Sequence, residues 1–460
     1  MKKMWAQLLL FLLFTTASPQ TKLAVPYERF ILPNGLNVIL HEDHTTPTVT
    51  VNVWYHVGSG NEKPGRTGFA HLFEHILFEG SGHVPEGAFD EWLETAGGNN
   101  NGSTNPDRTN YYENIPANAL ELALFLESDR LGYLLEAMSS GKVDGQRDVV
   151  KNERRQGIEN QPYGMAFVIL GESLYEPNHP YHWPTIGYMD DLTAASYEDV
   201  VEFFKKYYTP SNASLVIAGD INPASTRALV EKWFSDVQGR SRPVLIDAPP
   251  AVLTEEKRVV FEDRVQLPRL YMAWLTPPSL SPGDAELDIV ANVLAGGKNS
   301  RLYKRLVYDL QIAQDVSAFQ ASQTLSSFFV IIATARSGHT LAELEKVVQE
   351  EIDRLKQTAP EPRELQRALN QYEAGFLSSL EVVGLKADRL NSYYKTTGNP
   401  DYFNEDLARY QALEPNDVRT AALTYLPSHA RVVLSIVPQD KVELASGQGK
   451  KYEPKKKGTD

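Results

Sequence analysis

Residues 67–82, TGFAHLFEHILFEGSG, place two histidines and a glutamate inside one strongly apolar run. The apolar residues recur at helical spacing, so the run predicts a short buried helix. A buried imidazole or carboxylate costs free energy unless it is paired, and a group must therefore satisfy His71, Glu74 and His75 together.

The spacing of these three residues matches a known pattern of zinc ligation. Residues four apart share a helix face, so His71 and His75 can direct their imidazole nitrogens at one ion, with Glu74 in reach of a metal-bound water. The pattern H-x-x-E-H inverts the H-E-x-x-H zinc motif. Zinc takes two imidazoles, a third protein ligand and a water. The alternative is a pair of ordinary core histidines, so the interpretation requires a third ligand.

Length and composition limit the other possibilities. The chain has 460 residues, no cysteine and a formal net charge of -14. This length favours at least two domains, and the acidic balance argues against a nucleic-acid binder, which normally has a basic face. Without cysteine there are no disulfides or thiolates, so metal ligands must be histidine, aspartate or glutamate.

The N-terminus has the features of an export signal. Lys2 and Lys3 precede the apolar run LLLFLLFTTA, and Thr15 and Ala17 offer a small-residue cleavage site. The run is too short to span a bilayer of roughly 30 Å. We therefore predict a signal peptide over residues 1–20 and export, most simply to a bacterial periplasm.

The remaining sequence predicts an α+β fold of two homologous halves, each an antiparallel or mixed sheet packed with helices. Strand-like and helix-like segments alternate in both halves, and a short motif recurs at a constant offset of 217 residues, which favours duplication: Tyr208, Pro210, Ser211 and Ala213 return as Tyr425, Pro427, Ser428 and Ala430. The predicted boundaries are 23–239 for the N-terminal half, 240–258 for a Pro-rich linker, 259–445 for a C-terminal half without a metal site, and 446–460 for a disordered tail.

Four stretches resemble the pitrilysin/insulinase and mitochondrial processing peptidase family of inverted-zinc peptidases: GSGNEKPGRTGFAHLFEHILFEG, GGNNNGSTNPDRTNYY, RDVVKNERRQGIENQPYG and HPYHWPTIG. The resemblance covers nearly the whole mature chain, more weakly in the second half. It implies one Zn²⁺ per chain held by His71, His75 and Glu153, with Glu74 as general base of a metalloendopeptidase. Without it, an ordinary solvated helix glutamate, flanked by Arg154 and Arg155, is the better interpretation of Glu153.

Two further site residues follow from the same resemblance. Many members carry a glutamate where this chain has Gln146, whose amide keeps an acceptor for a ligand histidine but loses the charge. The segment GGNNNGST resembles the edge strand that pairs with an extended peptide substrate, and Asn101 is the predicted polar contact. The alternative for this segment is a mobile surface turn.

The second half departs from the family in a way that bears on partners. Single-chain members carry an Arg and a Tyr, seven residues apart, that reach the zinc site, where this chain aligns Val307 and Gln314. The departure predicts a heterodimer whose second chain supplies the pair. The alternative is a homodimer that uses Tyr308 or a backbone N–H. A non-catalytic scaffold of the same fold is the rival function, although a scaffold has no need of the intact zinc motif.

Overall fold

The computed structural model describes residues 22–244 and 246–454. It contains two six-stranded sheets, one in each half of the chain, and helices pack on both. This architecture confirms the predicted α+β fold of two related halves. The predicted signal peptide lies outside the described residues. Within the two described ranges, no helix is both long enough and apolar enough to cross a membrane.

The first half carries the first sheet and eight helices among the described residues. Its strands are β1 Glu28–Ile31, β2 Asn37–Glu42, β3 Thr48–Tyr55, β4 Asn99–Thr104, β5 Thr109–Pro116 and β6 Ala213–Gly219. Its helices are α1 Phe69–Ile76, α2 Ala88–Thr95, α3 Leu120–Ala137, α4 Ser140–Arg154, α5 Ala166–Leu174, α6 Met189–Ala194, α7 Tyr197–Tyr207 and α8 Pro223–Phe234.

The second half repeats this layout. Its strands are β7 Lys257–Asp263, β8 Arg269–Thr276, β9 Ala313–Ala321, β10 Ser327–Ala335, β11 Val432–Pro438 and β12 Lys450–Lys451. Its helices are α9 Asp284–Ala295, α10 Leu341–Gln357, α11 Pro362–Ser379, α12 Val383–Thr397, α13 Phe403–Gln411 and α14 Pro415–Tyr425.

The order of the strands shows the duplication directly. The first sheet runs β1-β2-β6-β3-β5-β4 and the second runs β12-β7-β11-β8-β10-β9. The pairs β2–β6 and β7–β11 are parallel, and the strands beyond β6 and β11 are antiparallel in both sheets. The repeated Tyr/Pro/Ser motif leads into β6 in one half and β11 in the other. The two sheets differ at one edge, where β1 is antiparallel to its neighbour and β12 is parallel.

Each half contributes a helix that packs on the sheet of the other half. Helix α5 of the first half packs on the second sheet, where Ile169 is buried together with Leu434. Helix α12 of the second half packs on the first sheet, where Leu390 is buried together with Val216. Because burial of apolar surface drives association, this reciprocal packing holds the halves in one arrangement around the cleft between them.

Two predicted boundaries need correction. The predicted disordered tail begins as ordered chain, because Lys450–Lys451 form β12 and the Tyr452 N–H donates to the Val260 carbonyl at 2.8 Å. A strand of lysines pairs through its backbone while its charged side chains stay in water, and composition alone cannot reveal this. The last two residues of the predicted linker, 257–258, belong to β7. Residues 455–460 lie outside the described chain.

Candidate metal centre

Helix α1 is anchored at its first turn by a carboxylate that the sequence interpretation missed. The helix begins after Gly68, which has a φ of 90° and no side chain to cap it. Instead, the buried Glu62 accepts hydrogen bonds from the N–H groups of Gly68 at 2.9 Å and Ala70 at 2.8 Å. Burial raises the pKa of Glu62 to about 8, against these two hydrogen bonds. The anchor fixes the backbone immediately before His71.

Helix α4 supplies the third candidate ligand. The Ser139 side chain caps its N-terminus, and Val150 is fully buried against the core, whereas Val149 is 46% exposed. Glu153 lies three residues after Val150, near the end of the helix. The chain then continues as a π-helical turn over Arg155–Glu159, a feature often found beside functional sites.

Three side-chain atoms converge between α1 and α4. His71 Nε2 lies 3.0 Å from Glu153 Oε2, His75 Nε2 lies 3.1 Å from the same oxygen, and the two ring nitrogens are 3.3 Å apart. Tetrahedral zinc with ligands at about 2.0–2.1 Å places those ligands about 3.4 Å apart. The three atoms therefore fit three corners of a zinc site and leave the fourth for water or substrate.

Glu74 lies beside this triangle and is not part of it. Thr104 donates a hydrogen bond to its Oε2 at 2.6 Å, and the same oxygen lies 3.4 Å from His71 Nδ1. Burial opposes ionisation, but the contacts with His71 and Thr104 outweigh it, so the pKa of Glu74 falls below its usual value. Glu74 is thus an ionised carboxylate beside the donor triangle, as a general base requires.

The charges of the metal-free centre are strongly coupled. Burial lowers the pKa of His71, but its contacts with Glu153 and Glu74 outweigh burial and raise that pKa to about 9. The hydrogen bonds from His71 and His75 hold the pKa of Glu153 well below its usual range. Protons therefore compete with a metal for the same nitrogen atoms, and metal affinity should fall as the pH falls.

Within the segment 97–104, residues 99–104 form an edge strand, and Gly97 and Gly98 are the short connection that precedes it. Strand β4 is outermost in the first sheet, and the backbone bond from Asn105 N–H to Arg108 O closes its hairpin with β5. Alternation along the antiparallel pair turns the Gly102 N–H away from β5. That N–H donates to Asn101 Oδ1 at 2.8 Å. The Asn101 side chain therefore covers the Gly102 N–H at the edge of the sheet. Its contact with substrate stays a prediction.

Gly102 is required by the close approach of β4 to the Glu74 side chain. A Cβ added there would lie 3.0 Å from Glu74 Cγ and 3.3 Å from the Tyr111 ring. We expect Gly102→Ala to displace Glu74 by a few tenths of an ångström and to lower kcat about tenfold or more, with zinc content unchanged. Steady-state kinetics with metal analysis tests this. Gly97→Ala would be an unsuitable control because its φ is 84°; Gly145→Ala on α4, where a Cβ meets no atom within 4 Å, is the matched control.

Gln146 has a different partner from the one predicted. Its Nε2 donates to Glu79 Oε1 at 2.6 Å, so its amide serves Glu79 and not a ligand histidine. Burial and the nearby Glu86 raise the pKa of Glu79. His75 is close enough to Glu79 to lower that pKa in part. Gln146 therefore influences the centre through Glu79. The position of Glu79 depends on the turn of the chain after α1, so the sequence motif could not predict this contact.

We predict that Gln146→Glu moves the pH–rate profile without abolishing activity. Two carboxylates at hydrogen-bonding distance cannot both ionise freely, so the pair should retain a proton and change the field at His75. The expected shift is about 0.5 to 1 pH unit. The double variant Gln146→Glu/Glu79→Gln restores one amide and one carboxylate, and its profile should return towards that of the parent. An unchanged profile in the single variant would disconnect Gln146 from the centre.

A cavity of about 570 Å³ opens beside the centre and reaches across both halves. Its lining includes His71 and Glu153 of the centre, Phe167 of α5, and Gln323 and Phe328 from the second half. Such a cleft, apolar with a few polar groups, has the character of a ligand site.

The second half brings neither of the aligned residues to this cavity. Val307 is buried in the core of the second half, within a π-helical segment over Tyr303–Asp309, and Gln314 is exposed at the start of β9. Neither residue contributes to the lining of the cavity, and Tyr308 is 52% exposed and also outside it. The structure thus shows no oxyanion donor from these positions in the cavity.

Comparison with known proteins places the chain in a family. The family described as Insulinase (Peptidase family M16) matches residues 37–175, and Peptidase M16 inactive domain matches residues 194–372. Zinc protease PqqE of Helicobacter pylori is 30% identical over 375 residues, which cover 79% of this chain and 83% of that protein. The chain belongs to peptidase family M16. This confirms the resemblance predicted from sequence.

Other similar proteins match over most of the chain. A protease from Helicobacter pylori of known crystal structure matches with a TM-score of 0.85 and 26% identity, over 90% of this chain and 100% of that one. The probable beta subunit of the mitochondrial-processing peptidase of Arabidopsis thaliana is 23% identical over 92% of this chain and 79% of that protein. The convergent donors His71, His75 and Glu153 all fall within the insulinase match.

Proposed function

We propose that this M16 chain is a zinc-dependent metalloendopeptidase that cleaves extended peptides or unfolded segments. The observation that carries the proposal is the convergence of His71, His75 and Glu153 on one point, with ionised Glu74 beside it. Zinc bound there would polarise the peptide carbonyl and lower the pKa of a water molecule. Several relatives are named zinc proteases, which supports the same metal.

The side chains around the centre would supply the proton transfer and the substrate contacts. Glu74 accepts the proton of the attacking water at its carboxylate and returns it to the leaving amine, while Thr104 holds Oε2 in place. The outward N–H and C=O groups of β4 can pair with an extended backbone once the Asn101 side chain leaves the Gly102 N–H. Strand pairing recognises the substrate backbone and not its side chains, so the proposal does not restrict the substrate sequence.

We further propose that the active form is a heterodimer. The positions that would supply an Arg and a Tyr hold Val307 and Gln314, and neither lines the cavity at the centre. Loss of one oxyanion donor typically lowers kcat by roughly 10²- to 10³-fold. Three relatives are named as beta subunits of a processing peptidase, which supports assembly with a second chain. The N-terminal segment would direct the protein to the periplasm.

A non-catalytic scaffold is the second candidate. The match of residues 194–372 to a family described as an inactive domain favours it. That match does not include the four residues of the centre. All four lie in the first half, within the insulinase match. A scaffold gains nothing from such a set of buried polar groups, so the peptidase is the better-supported function.

The deciding experiment is a cleavage profile on a peptide library. The zinc-loaded chain is assayed alone and with the product of a neighbouring related gene. We expect cleavage only when both chains are present. Replacement of the Arg and Tyr of the second chain should abolish it. Full activity of the isolated chain would exclude the heterodimer. Zinc binding without cleavage under either condition would favour the scaffold.

A further inference from the structure

A second cavity, of about 280 Å³, lies where the two halves meet the linker. Its lining includes His56 after β3, Asp107 in the β4–β5 turn, Arg242 in the linker, Thr324 before β10 and Lys395 on α12. It is separate from the cavity at the metal centre, which contains none of these five residues. No part of the proposed peptidase mechanism uses it.

The charges around this cavity do not balance. Asp107 is its one lining carboxylate, and both oxygens are already occupied, Oδ1 by the Tyr181 hydroxyl at 2.5 Å and Oδ2 by the Thr324 N–H at 3.0 Å. Across residues 22–244 and 246–454, neither a carboxylate nor another acceptor pairs with the Lys395 ammonium group. Burial lowers the pKa of Lys395, and Asp107 offsets this only in part.

His56 does not add or remove charge here. The Ser214 hydroxyl donates to Asn391 Oδ1 at 2.7 Å, so its oxygen accepts from His56 Nε2 at 3.1 Å. This assigns the proton of the neutral ring to Nε2 and leaves Nδ1 facing the Arg242 guanidinium at 3.5 Å. Burial, with Lys395 and Arg242 nearby, lowers the pKa of His56 to about 3. The cavity therefore presents the partly buried Lys395, the exposed Arg242, a neutral imidazole and a carboxylate that already accepts two hydrogen bonds.

We propose that this cavity binds a small oxyanion, of the class of inorganic phosphate or a carboxylate, between the Lys395 ammonium and the Arg242 guanidinium. Both groups form charge-assisted hydrogen bonds to such oxygens, and Arg242 can make two in parallel. The surrounding Asn61 and Thr396 side chains add neutral polar groups to the wall. The volume admits a phosphate ion with some water.

Binding here would stabilise the arrangement of the halves. The walls come from the first half, the linker and α12 of the second half, so the ion would bridge all three segments. A ligand that binds only the folded chain raises its unfolding temperature with ligand concentration. The inference does not depend on peptidase activity, because its readout is stability.

The test is thermal unfolding of the full chain in a phosphate-free buffer, with inorganic phosphate added at constant ionic strength. We expect a saturable rise in Tm of several degrees for the parent and no rise for Lys395→Met. Without phosphate, Lys395→Met should unfold at an equal or higher temperature, because it removes a partly buried cation that no carboxylate pairs with in the described residues. Lys346→Met, which removes an exposed charge on α10, is the matched control and should respond like the parent.

The source of the ion is distinguished by competition. A short peptide with a free C-terminal carboxylate should compete with phosphate if peptide termini are the natural ligand, whereas its amidated form should not. Competition by neither peptide assigns the site to free inorganic anions. An equal phosphate response in the parent and Lys395→Met, or no response in the parent, would overturn the proposal; since the metal centre is intact in both proteins, phosphate bound to zinc cannot produce a difference between them.

Discussion

Replacement of Glu74 by glutamine is expected to abolish peptide hydrolysis and to leave zinc content unchanged. Glutamine is nearly isosteric and its oxygen can still accept the hydrogen bond that Thr104 donates to Oε2 at 2.6 Å. It cannot take a proton from water, and loss of a general base typically lowers the rate by 10²- to 10⁴-fold. Glu74 is outside the donor triangle, so the metal should remain.

The control for this variant is Thr104→Val. It removes the hydrogen bond to Glu74 but keeps the carboxylate, so it should reduce kcat much less than Glu74→Gln does. Turnover, zinc analysis and an unfolding curve are measured for each protein. Residual activity of Glu74→Gln within about tenfold of the parent would assign the base to another residue.

The sequence was most informative where local geometry decides the outcome. Helix α1 could be predicted because the apolar residues and the two histidines follow one helical period, and this places His71 and His75 on one face. The edge strand β4 was predicted instead from its resemblance to the family. The repeated motif before β6 and β11 correctly indicated two related sheets.

The residues that needed tertiary packing were harder to predict. Glu153 is far from α1 in sequence, so only the family resemblance could join it to the histidines before the packing of α4 was known. Glu62 escaped notice because its role depends on a turn that brings it back to the first N–H groups of α1. Gln146 was given a wrong partner because the position of Glu79 follows from the chain path after the helix.

The same packing makes Glu153 the most informative ligand to remove. We expect Glu153→Ala to weaken zinc binding by more than about 100-fold, because even outer partners of a zinc site contribute 10- to 100-fold. His71→Ala and His75→Ala should behave alike. Asp148→Ala is the matched control, since it removes a carboxylate from α4 whose side chain is 71% exposed and pairs only with Lys151 at 3.7 Å. Elemental analysis after chelator competition measures the loss.

Glu153→Ala also has a signature in the metal-free chain, which separates a ligand from a general structural role. The pKa of His71 is raised from 6.5 to about 9, so its contribution to stability is full below pH 6.5 and is lost as the pH rises through 9. The pKa of Glu153 is lowered from 4.5, so its contribution is present above pH 4.5 and is lost in acid. Removing Glu153 should therefore destabilise the metal-free chain most between about pH 4.5 and 6.5, and progressively less towards pH 9. Denaturant unfolding across this range tests the pairing, and full zinc occupancy in Glu153→Ala would remove the residue from the centre.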